Sequence, residues 1–401
     1  MANLAVRVSK DAARQIRGGH PWVFDASIVS VKPEGSAGDL AVVFDERRNF
    51  MAIGLYDPDS PIRIKVLHQG DPLSIDAAFW KNRFEAAIGR RAALLESSST
   101  TGFRLVHGEN DGLPGFVLDR YDNTLVIKLY SAAWLPHLAE IVAVIESMLA
   151  PSSIVLRLAR NVARGETGGH TDGSVLLGVL PDAPVIFREN GLRFEADVVR
   201  GPKTGSFLDQ RDNRRRVREL SSGQRVLDVF SSAGGFTVHA AAGGATQVHS
   251  IDISQAALDA TRRNLALNSE RTSVSRCRHL VTTGDAFEVL AHLATRPERF
   301  GLVIVDPPSF ASRQSQVPAA LRAYARLSGM AVGLVARDGL LVQCSCSSRV
   351  TTEDFVSTIR SGAHQAGAKL EITARTGHPV DHPIGFAEGA YLKAVFARVQ
   401  R

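Results

Sequence analysis

From Gly223 onward the chain alternates between short apolar runs and single amphipathic segments: RVLDVF, GGFTVHAAA, QVHSID, SQAALDATRRNLAL, HLVTT, DAFEVLAHLA and GLVIVD follow one another with little between them. This alternation is the strongest constraint on the fold. Strands separated by one helix each pair in parallel, and right-handed crossovers put helices on both faces of the sheet. A further helix is expected between Val317 and Ala336, then the strand GLLVQCS, a helix over Thr352 to Ala366, and the strands KLEITA and AYLKAVFARV. The Gly/Pro-rich loop joining the last two suggests an antiparallel hairpin on the sheet edge. The fold class expected is α/β, with a doubly wound, Rossmann-like sheet in the C-terminal part.

Upstream the pattern differs. Residues 1–72 hold short alternating runs, LAVVF (40–44), MAIGLY (51–56) and IRIKVL (62–67), between turn-formers such as PEGSAGD and DPDSP, which predicts a small β-rich module. After the polar break QGDPLSID (69–76), an amphipathic helix from Ala77 to Leu95 opens a second unit, with Phe79, Phe84, Ala87 and Ile88 at helical spacing. Two strands around an Asp-Asn turn in FVLDRYDNTLVIKLY (116–130), a helix from Trp134 to Leu149 and strands towards Val185 make 73–187 a central α+β domain. The third domain is 188–401. Charges recur every few residues in MANLAVRVSKDAARQIRGG, so no secretory leader is expected, and the lack of about 18 consecutive uncharged apolar residues predicts no membrane span. The three cysteines, Cys277, Cys344 and Cys346, are odd in number and late in the chain, which argues against a disulfide framework and a zinc site and for a reducing cytoplasm.

In VLDVFSSAGGFTVHAA (226–241), Asp228 ends the first strand, and Gly234 and Gly235 let the backbone approach a ligand and open a helix N-terminus towards it. Asp252 ends the second strand, where a carboxylate can accept from both ribose hydroxyls of a nucleotide cofactor; Asp285 follows the third strand in the same way. The plainer reading is a tight glycine turn with Asp252 capping the next helix. The fourth strand, VIVDPPSF (303–310), discriminates between cofactors. Two prolines hold the Asp306 carboxylate at the carboxyl end of the sheet, where open α/β sheets bind ligands. A dinucleotide-dependent dehydrogenase has no need of this element. Asp-Pro-Pro followed by an aromatic resembles the substrate-base clamp of class I methyltransferases acting on nucleobases, which implies S-adenosylmethionine as cofactor.

Cys346, in LLVQCSCSS, lies just beyond an apolar strand and hence at the same sheet edge as Asp306. Carbon 5 of cytosine is not nucleophilic enough to take a methyl group from a sulfonium. A thiolate adding to carbon 6 makes carbon 5 electron-rich, which is covalent catalysis. The site should then supply positive potential or a proton acceptor to ionise the thiol; the sequence does not identify which. Cys344 lies one pleat deeper and reads as a small buried hydrophobe, and Cys277, between Arg276 and Arg278, as incidental.

Longer runs carry more. GGHPWVFDASI (18–28), GLYDPDSPIRIKVL (54–67), FRLVHGENDGLPGFVLDRY (103–121), GPKTGSFLDQRDNR (201–214), VLDVFSSAGGF (226–236), VDPPSF (305–310), SCSS (345–348) and DHPIGFAEGAYLKAVFARV (381–399) together resemble the bacterial 23S rRNA 5-methylcytosine methyltransferases of the three-domain type. The resemblance implies an N-terminal PUA-like RNA-binding domain, a central α+β domain and a class I methyltransferase domain. Carried over residue by residue, it implies Cys346 as nucleophile and Asp306 in contact with the target base. Phe207, Gln210 and Arg211 would lie beside the cofactor with Asp228, Gly234, Asp252 and Asp285. Ser309 stands where many relatives have Lys, and Ala323-Tyr324-Ala325 where many have Gly-Tyr-Lys.

The partner implied is ribosomal RNA, and a homodimer is admitted. The formal net charge of +6 suits a polyanion. RDNRRRVREL (211–220) holds five arginines, Arg214 and Arg215 among them, and reads either as phosphate contacts or as a solvated helix face. Arg14, Arg17, Arg63 and Lys65 are candidates for an RNA-facing surface in the first module, with His20; Trp22 and Phe24 read as core rather than as stacking platforms. Two other readings compete. A guanine or adenine N-methyltransferase would need no cysteine at the SCSS position, and an inactive assembly factor would be expected to have lost the glycine turn or Asp-Pro-Pro.

Overall fold

In the computed structural model, which describes residues 2–179 and 182–401, the alternation after Gly223 becomes a seven-stranded sheet. Its strands are β1 (Arg225–Val229), β2 (Gln247–Asp252), β3 (Arg278–Thr283), β4 (Phe300–Val305), β5 (Val335–Ser345), β6 (Lys369–Thr376) and β7 (Lys393–Gln400), in the order β3-β2-β1-β4-β5-β7-β6. The first five run parallel, and β7 is antiparallel to both β5 and β6. The expected terminal hairpin is present, with its second strand on the inside. Strand order reverses between β1 and β4, so their carboxyl ends flank the crevice in which such sheets take ligands.

Both faces are covered, which is why these strands read as continuous apolar runs. Helices α1 (Arg211–Leu220) and α2 (Gly235–Ala242) bury Val217, Phe236 and Ala240 against Val226, Val248, Leu302, Ile304, Val342 and Cys344. Beyond them in the chain come α3 (Gln255–Ala266), α4 (Ala286–Ala294), α5 (Val317–Leu334) and α6 (Thr352–Gln365). On the opposite face, Leu290 of α4, Tyr324 and Leu327 of α5 and Phe355 of α6 pack on Leu227, Val229, Ile251, Val303, Val305 and Leu341.

The chain groups into two compact units: Met1–Arg188, Ala196–Leu208 and Val380–Phe386 in one, and Glu189–Glu195, Asp209–Pro379 and Ala387–Arg401 in the other. The first holds a six-stranded sheet in the order Trp22–Phe24, Ile62–Gln69, Phe50–Tyr56, Leu40–Phe44, Asn3–Val8, Ile28–Lys32. It also holds a five-stranded sheet in the order Val175–Gly178, Ser153–Leu158, Thr124–Leu129, Phe116–Tyr121, Gly102–His107.

Two helices of this unit differ from the periodicity. The first is split into Ala77–Gly89 and Ala92–Leu95, and Trp80 rather than Phe79 joins Phe84, Ala87 and Ile88 in the core. At the break Arg91 turns inward, donating to Asp111 Oδ1 and Oδ2 at 2.9 and 2.8 Å and to the Asp381 carbonyl at 2.8 Å. The second begins as a 3-10 turn, Ala132–His137, where Pro136 has no amide to donate, and turns α-helical only over Leu138–Leu149. Ala132–Leu149 is long and apolar enough to cross a membrane by length and composition, but it carries Glu140 and Glu146 and so is not an uncharged run. In the structure its Trp134, Leu138, Ile141 and Ile145 are buried in the unit's core.

Candidate active site

The carboxyl ends of β1, β2, β4 and β5 gather the expected residues of the second unit. The turn after β1 is held in a strained path: Phe230 and Ser232 have φ of 64° and 48°, and Gly234 caps α2 at φ 78°. A bulky residue at positive φ is uncommon and persists only where its surroundings fix it. Here they do. Asp252 Oδ2 accepts from the Ser232 amide at 2.8 Å, Thr261 Oγ1 donates to the Ser232 carbonyl at 3.0 Å, and Asn264 Nδ2 donates to the Ala233 carbonyl at 2.9 Å. A Cβ at Gly234 would come within 2.4 Å of Thr261, and one at Gly235 within 2.6 Å of Arg214. The glycines therefore admit this chain's own side chains as well as a turn, which spacing alone does not reveal.

Asp252 does not cap α3. Ser254 does, while Asp252 Oδ1 accepts from the Ser254 amide at 2.9 Å. Its carboxylate thus spans the turn after β1 and the loop after β2, each oxygen keeping a lone pair for a hydroxyl donor. Asp285 is the residue that caps a helix: its Oδ1 accepts from the Phe287 and Glu288 amides at 2.9 and 3.2 Å. Asp228 is fully buried; its Oδ2 accepts from Thr237 Oγ1 at 2.7 Å, while Oδ1 and the nearby Ser231 hydroxyl have no partner. Burial pushes Asp228 up to about 6. Two unpaired buried polar atoms at a sheet's carboxyl edge fit a ligand that brings its own donors, as the amino and hydroxyl groups of S-adenosylmethionine would.

At the end of β4 the Asp306 amide continues the ladder to the Val229 carbonyl at 3.3 Å. Burial, then the Asp209 carboxylate, pushes Asp306 up to about 7, against the pull of Arg214 and a Gln210 hydrogen bond. Gln210 is buried close to Asp306 and Cys344 and accepts from Asn213 Nδ2 at 2.6 Å. Arg211 is buried beside it. Phe207 belongs to the first unit, where Lys203 Nζ lies 5.3 Å over its ring.

Cys346 is partly exposed just past β5, its Sγ 3.9 Å from the Pro307 carbonyl of the Asp-Pro-Pro turn. Cys344 is fully buried, as its deeper pleat predicts, and burial pushes its thiol up. The turn carrying Cys346 is fastened by hydroxyls. Tyr324 Oη bonds Ser345 Oγ at 2.9 Å and Ser347 Oγ at 3.1 Å, and Ser309 Oγ bonds Ser347 Oγ at 3.0 Å. Ser309, a departure from the family pattern, thus falls in one network with Tyr324, the residue that the Ala323-Tyr324-Ala325 run shares with Gly-Tyr-Lys; Tyr324 is wholly buried. Sequence reading missed this network and also Lys393, a buried cation at the start of β7. The available signal was a lysine opening an otherwise apolar strand, KAVFARV.

The RNA-facing set needs correction. Arg214 is buried in an ion pair with Glu189, and Lys65 is buried with its Nζ 2.8 Å from Asp57 Oδ2. Neither can meet a phosphate without abandoning a buried carboxylate. Arg63 is paired with Asp25 at 2.6 Å. Arg14, Arg17 and Arg215 remain at the surface, Arg14 beside Asp11 and Arg17 beside Asp45. Helix α1 is solvated on one face only: Asp212, Arg215 and Glu219 are exposed, while Arg211, Asn213, Arg214 and Val217 are buried and Arg216 stacks over Phe396 at 5.0 Å. Phe24, expected in the core, is 39% exposed, and Trp22 is half-buried with its indole N–H donating to Glu109 at 3.0 Å.

Residues 177–398 match the S-adenosylmethionine-dependent methyltransferase family, and residues 6–69 match the PUA-like domain. A ribosomal RNA large subunit methyltransferase of Deinococcus radiodurans is 46% identical over 99% of this chain and 97% of that protein. The ribosomal RNA large subunit methyltransferase I of Escherichia coli is 34% identical over 98% of each. Among solved structures, a SAM-dependent methyltransferase from Streptococcus mutans superposes with a TM-score of 0.83 at 19% identity, covering 99% of this chain and all of that one. A methyltransferase complexed with SAH superposes with a TM-score of 0.84 at 20% identity and the same coverage. With its sheet order, its strained turn after β1 and a match along nearly its whole length, the chain belongs to the S-adenosylmethionine-dependent methyltransferase family that includes these ribosomal RNA methyltransferases.

Proposed function

We propose that this chain methylates carbon 5 of a cytosine in 23S ribosomal RNA, in the cytoplasm, with Cys346 as covalent nucleophile. The observation that carries the reading is the pairing of a partly exposed thiol with the Asp-Pro-Pro turn, Cys346 Sγ lying 3.9 Å from the Pro307 carbonyl, while Cys344 is fully buried. Large-subunit rRNA as substrate rests on the names of the relatives. The three-part division at 1–72, 73–187 and 188–401 belongs to the same reading.

Cys346 as thiolate adds to carbon 6, placing an electron pair at carbon 5. S-adenosylmethionine supplies the methyl group as a sulfonium electrophile. A base then takes the carbon-5 proton, and the electrons of that C–H bond restore the 5,6 double bond as the C–S bond breaks and the thiolate leaves. Asp306, held near neutrality, can donate from its protonated carboxyl to a ring nitrogen and draw electrons from carbon 6. Asp228, Gly234, Asp252 and Asp285, with Gln210 and Arg211, form the cofactor's surroundings in this reading. Arg14, Arg17 and Arg215 would meet phosphates, and Arg63 would do so on exchanging Asp25. The target base must leave its helix, at about a few kcal/mol and least for an unpaired base, which favours loops or partly folded rRNA.

Mass spectrometry of rRNA from a strain lacking the protein tests the reading. Loss of one 5-methylcytosine, restored by the wild-type chain, is expected. Loss of an N-methylated purine with 5-methylcytosine unchanged would overturn it in favour of N-methylation.

A further inference from the structure

The sequence run around Tyr391-Leu392-Lys393 carries family resemblance but no assigned role, and its lysine is unusual. Lys393 is only 6% exposed, and lysine is seldom buried to that extent unless it is paired. In the sheet its backbone sits opposite Ser345 of β5. Its Nζ donates to the Ser347 carbonyl at 2.6 Å and to the Tyr391 carbonyl at 3.1 Å. The side chain therefore runs from the register partner of residue 345 to the carbonyl of residue 347, spanning the turn whose middle residue is Cys346. We propose that Lys393 is a positioning residue that fixes the Cys346 turn and holds its sulfur as the thiolate; this rests on the reading of Cys346 as nucleophile.

An ammonium has three donors and no acceptor, so two carbonyl bonds fix Nζ at the turn and leave one N–H, with the charge, beyond them. Burial lowers Lys393 to about 8, and interaction with Cys346 pulls it back up. Interaction between two titrating groups is mutual: what favours the ammonium beside a thiolate favours the thiolate beside the ammonium. Four acids are among the titratable groups near this turn, with Arg349 three residues beyond Cys346 and His378 accepting from the Leu392 amide. Tyr324 reaches it from α5, Asp306 from β4, Cys344 from β5 and Asp228 from β1, and burial raises all four. Each would repel a thiolate once ionised, so Lys393 opposes them. As an ammonium bonded to two carbonyls, it has no lone pair with which to take the carbon-5 proton.

The test is the rate of Cys346 alkylation by iodoacetamide against pH, read peptide by peptide by mass spectrometry on the full chain. In the wild type Cys346 should titrate below the ordinary thiol value of about 8.5. Lys393→Met should raise that midpoint by about one unit and slow alkylation near pH 7 by roughly tenfold, while Lys393→Arg retains most of the effect. Thermal melting and S-adenosylmethionine binding show whether Lys393→Met is folded. If it is not, the wild-type titration still decides, because a Cys346 midpoint at or above about 8.5 overturns the proposal. An unshifted midpoint in folded Lys393→Met overturns it too. Neither measurement uses RNA, so a shifted thiol without 5-methylcytosine formation would sink the functional reading and leave this inference standing.

Discussion

Arg214 Nη1 donates to both carboxylate oxygens of Glu189, at 2.9 and 2.8 Å, and His239 Nε2 closes the third side at 3.1 Å. Burial alone would raise Glu189, but the Arg214 charge and the His239 bond outweigh it and hold Glu189 at about 2, below its ordinary 4.5. Replacing Arg214 by Ala leaves a buried carboxylate without its cation and should cost about 3–5 kcal/mol in denaturant unfolding. Because the folded value is depressed, the pair's contribution is complete above about pH 4.5 and fades as pH falls towards 2. Glu189→Gln should lose that acid dependence; an identical acid profile in the variant would show that Glu189 is not the group involved.

The same burial divides the arginines of α1 in an RNA-binding experiment. Arg215→Ala should lower the salt slope of binding by about one unit if it meets a phosphate, and Arg14→Ala with Arg17→Ala by up to about two more. Lys65→Met and Arg214→Met should weaken folding instead. A slope unmoved by all three surface changes would remove these residues from the RNA interface.

How much of this was readable beforehand depended on what spacing encodes. Periodicity gave the sheet, its helices and the depth of Cys344, because a strand buried on both faces must be apolar throughout and a pleat alternates strictly. The acidic residues at the ends of β1 and β2 and the Asp-Pro-Pro turn were legible for the same reason: strand ends fix their position. What spacing could not carry was pairing across the chain. Arg214 and Glu189 stand 25 residues apart, and Ser347 and Lys393 stand 46 apart, so a run rich in arginine looked like surface and a lysine in a strand drew no reading. Arg91, buried against Asp111, misled the helix boundary in the same way.

Asp252 bridges two loops through both oxygens, so its loss acts twice. Asp252→Ala should weaken S-adenosylmethionine binding by about 1.5–3 kcal/mol in calorimetry, as expected for one charged hydrogen-bonding group. The amide of Ser232 also loses its acceptor, and the turn after β1 should exchange hydrogen faster. Unchanged affinity with a loosened turn would make Asp252 a purely structural residue.

Asp306 provides a pH signature. Held at about 7, its carboxyl is largely protonated below that pH and ionised above it. If the protonated form donates to the base, kcat/KM should fall as pH rises through about 7, on top of the rise that thiolate formation brings. Asp306→Asn keeps a donor that does not titrate, and the falling limb near 7 should vanish at reduced overall rate. A falling limb that survives the substitution would assign it elsewhere.

The distinction between the two late cysteines is the sharpest test of mechanism. Cys346 is partly exposed beside the Pro307 carbonyl, and Cys344 is fully buried among Val342, Ala394 and Phe396. Cys346→Ala should abolish methyl transfer while keeping cofactor binding, because Asp252, the carboxylate read as the ribose contact, lies on β2 rather than β5. Cys344→Ala should keep activity and lose at most about 1 kcal/mol of stability, since one small buried side chain changes by little more than a sulfur. RNA carrying 5-fluorocytosine should trap the wild type as an adduct stable to denaturation, because fluorine cannot leave carbon 5 as a proton does and elimination stalls. The adduct should form in Cys344→Ala and be missing in Cys346→Ala. An adduct that persists without the Cys346 sulfur, or full activity in that variant, would overturn the covalent mechanism and leave N-methylation as the better account of this site.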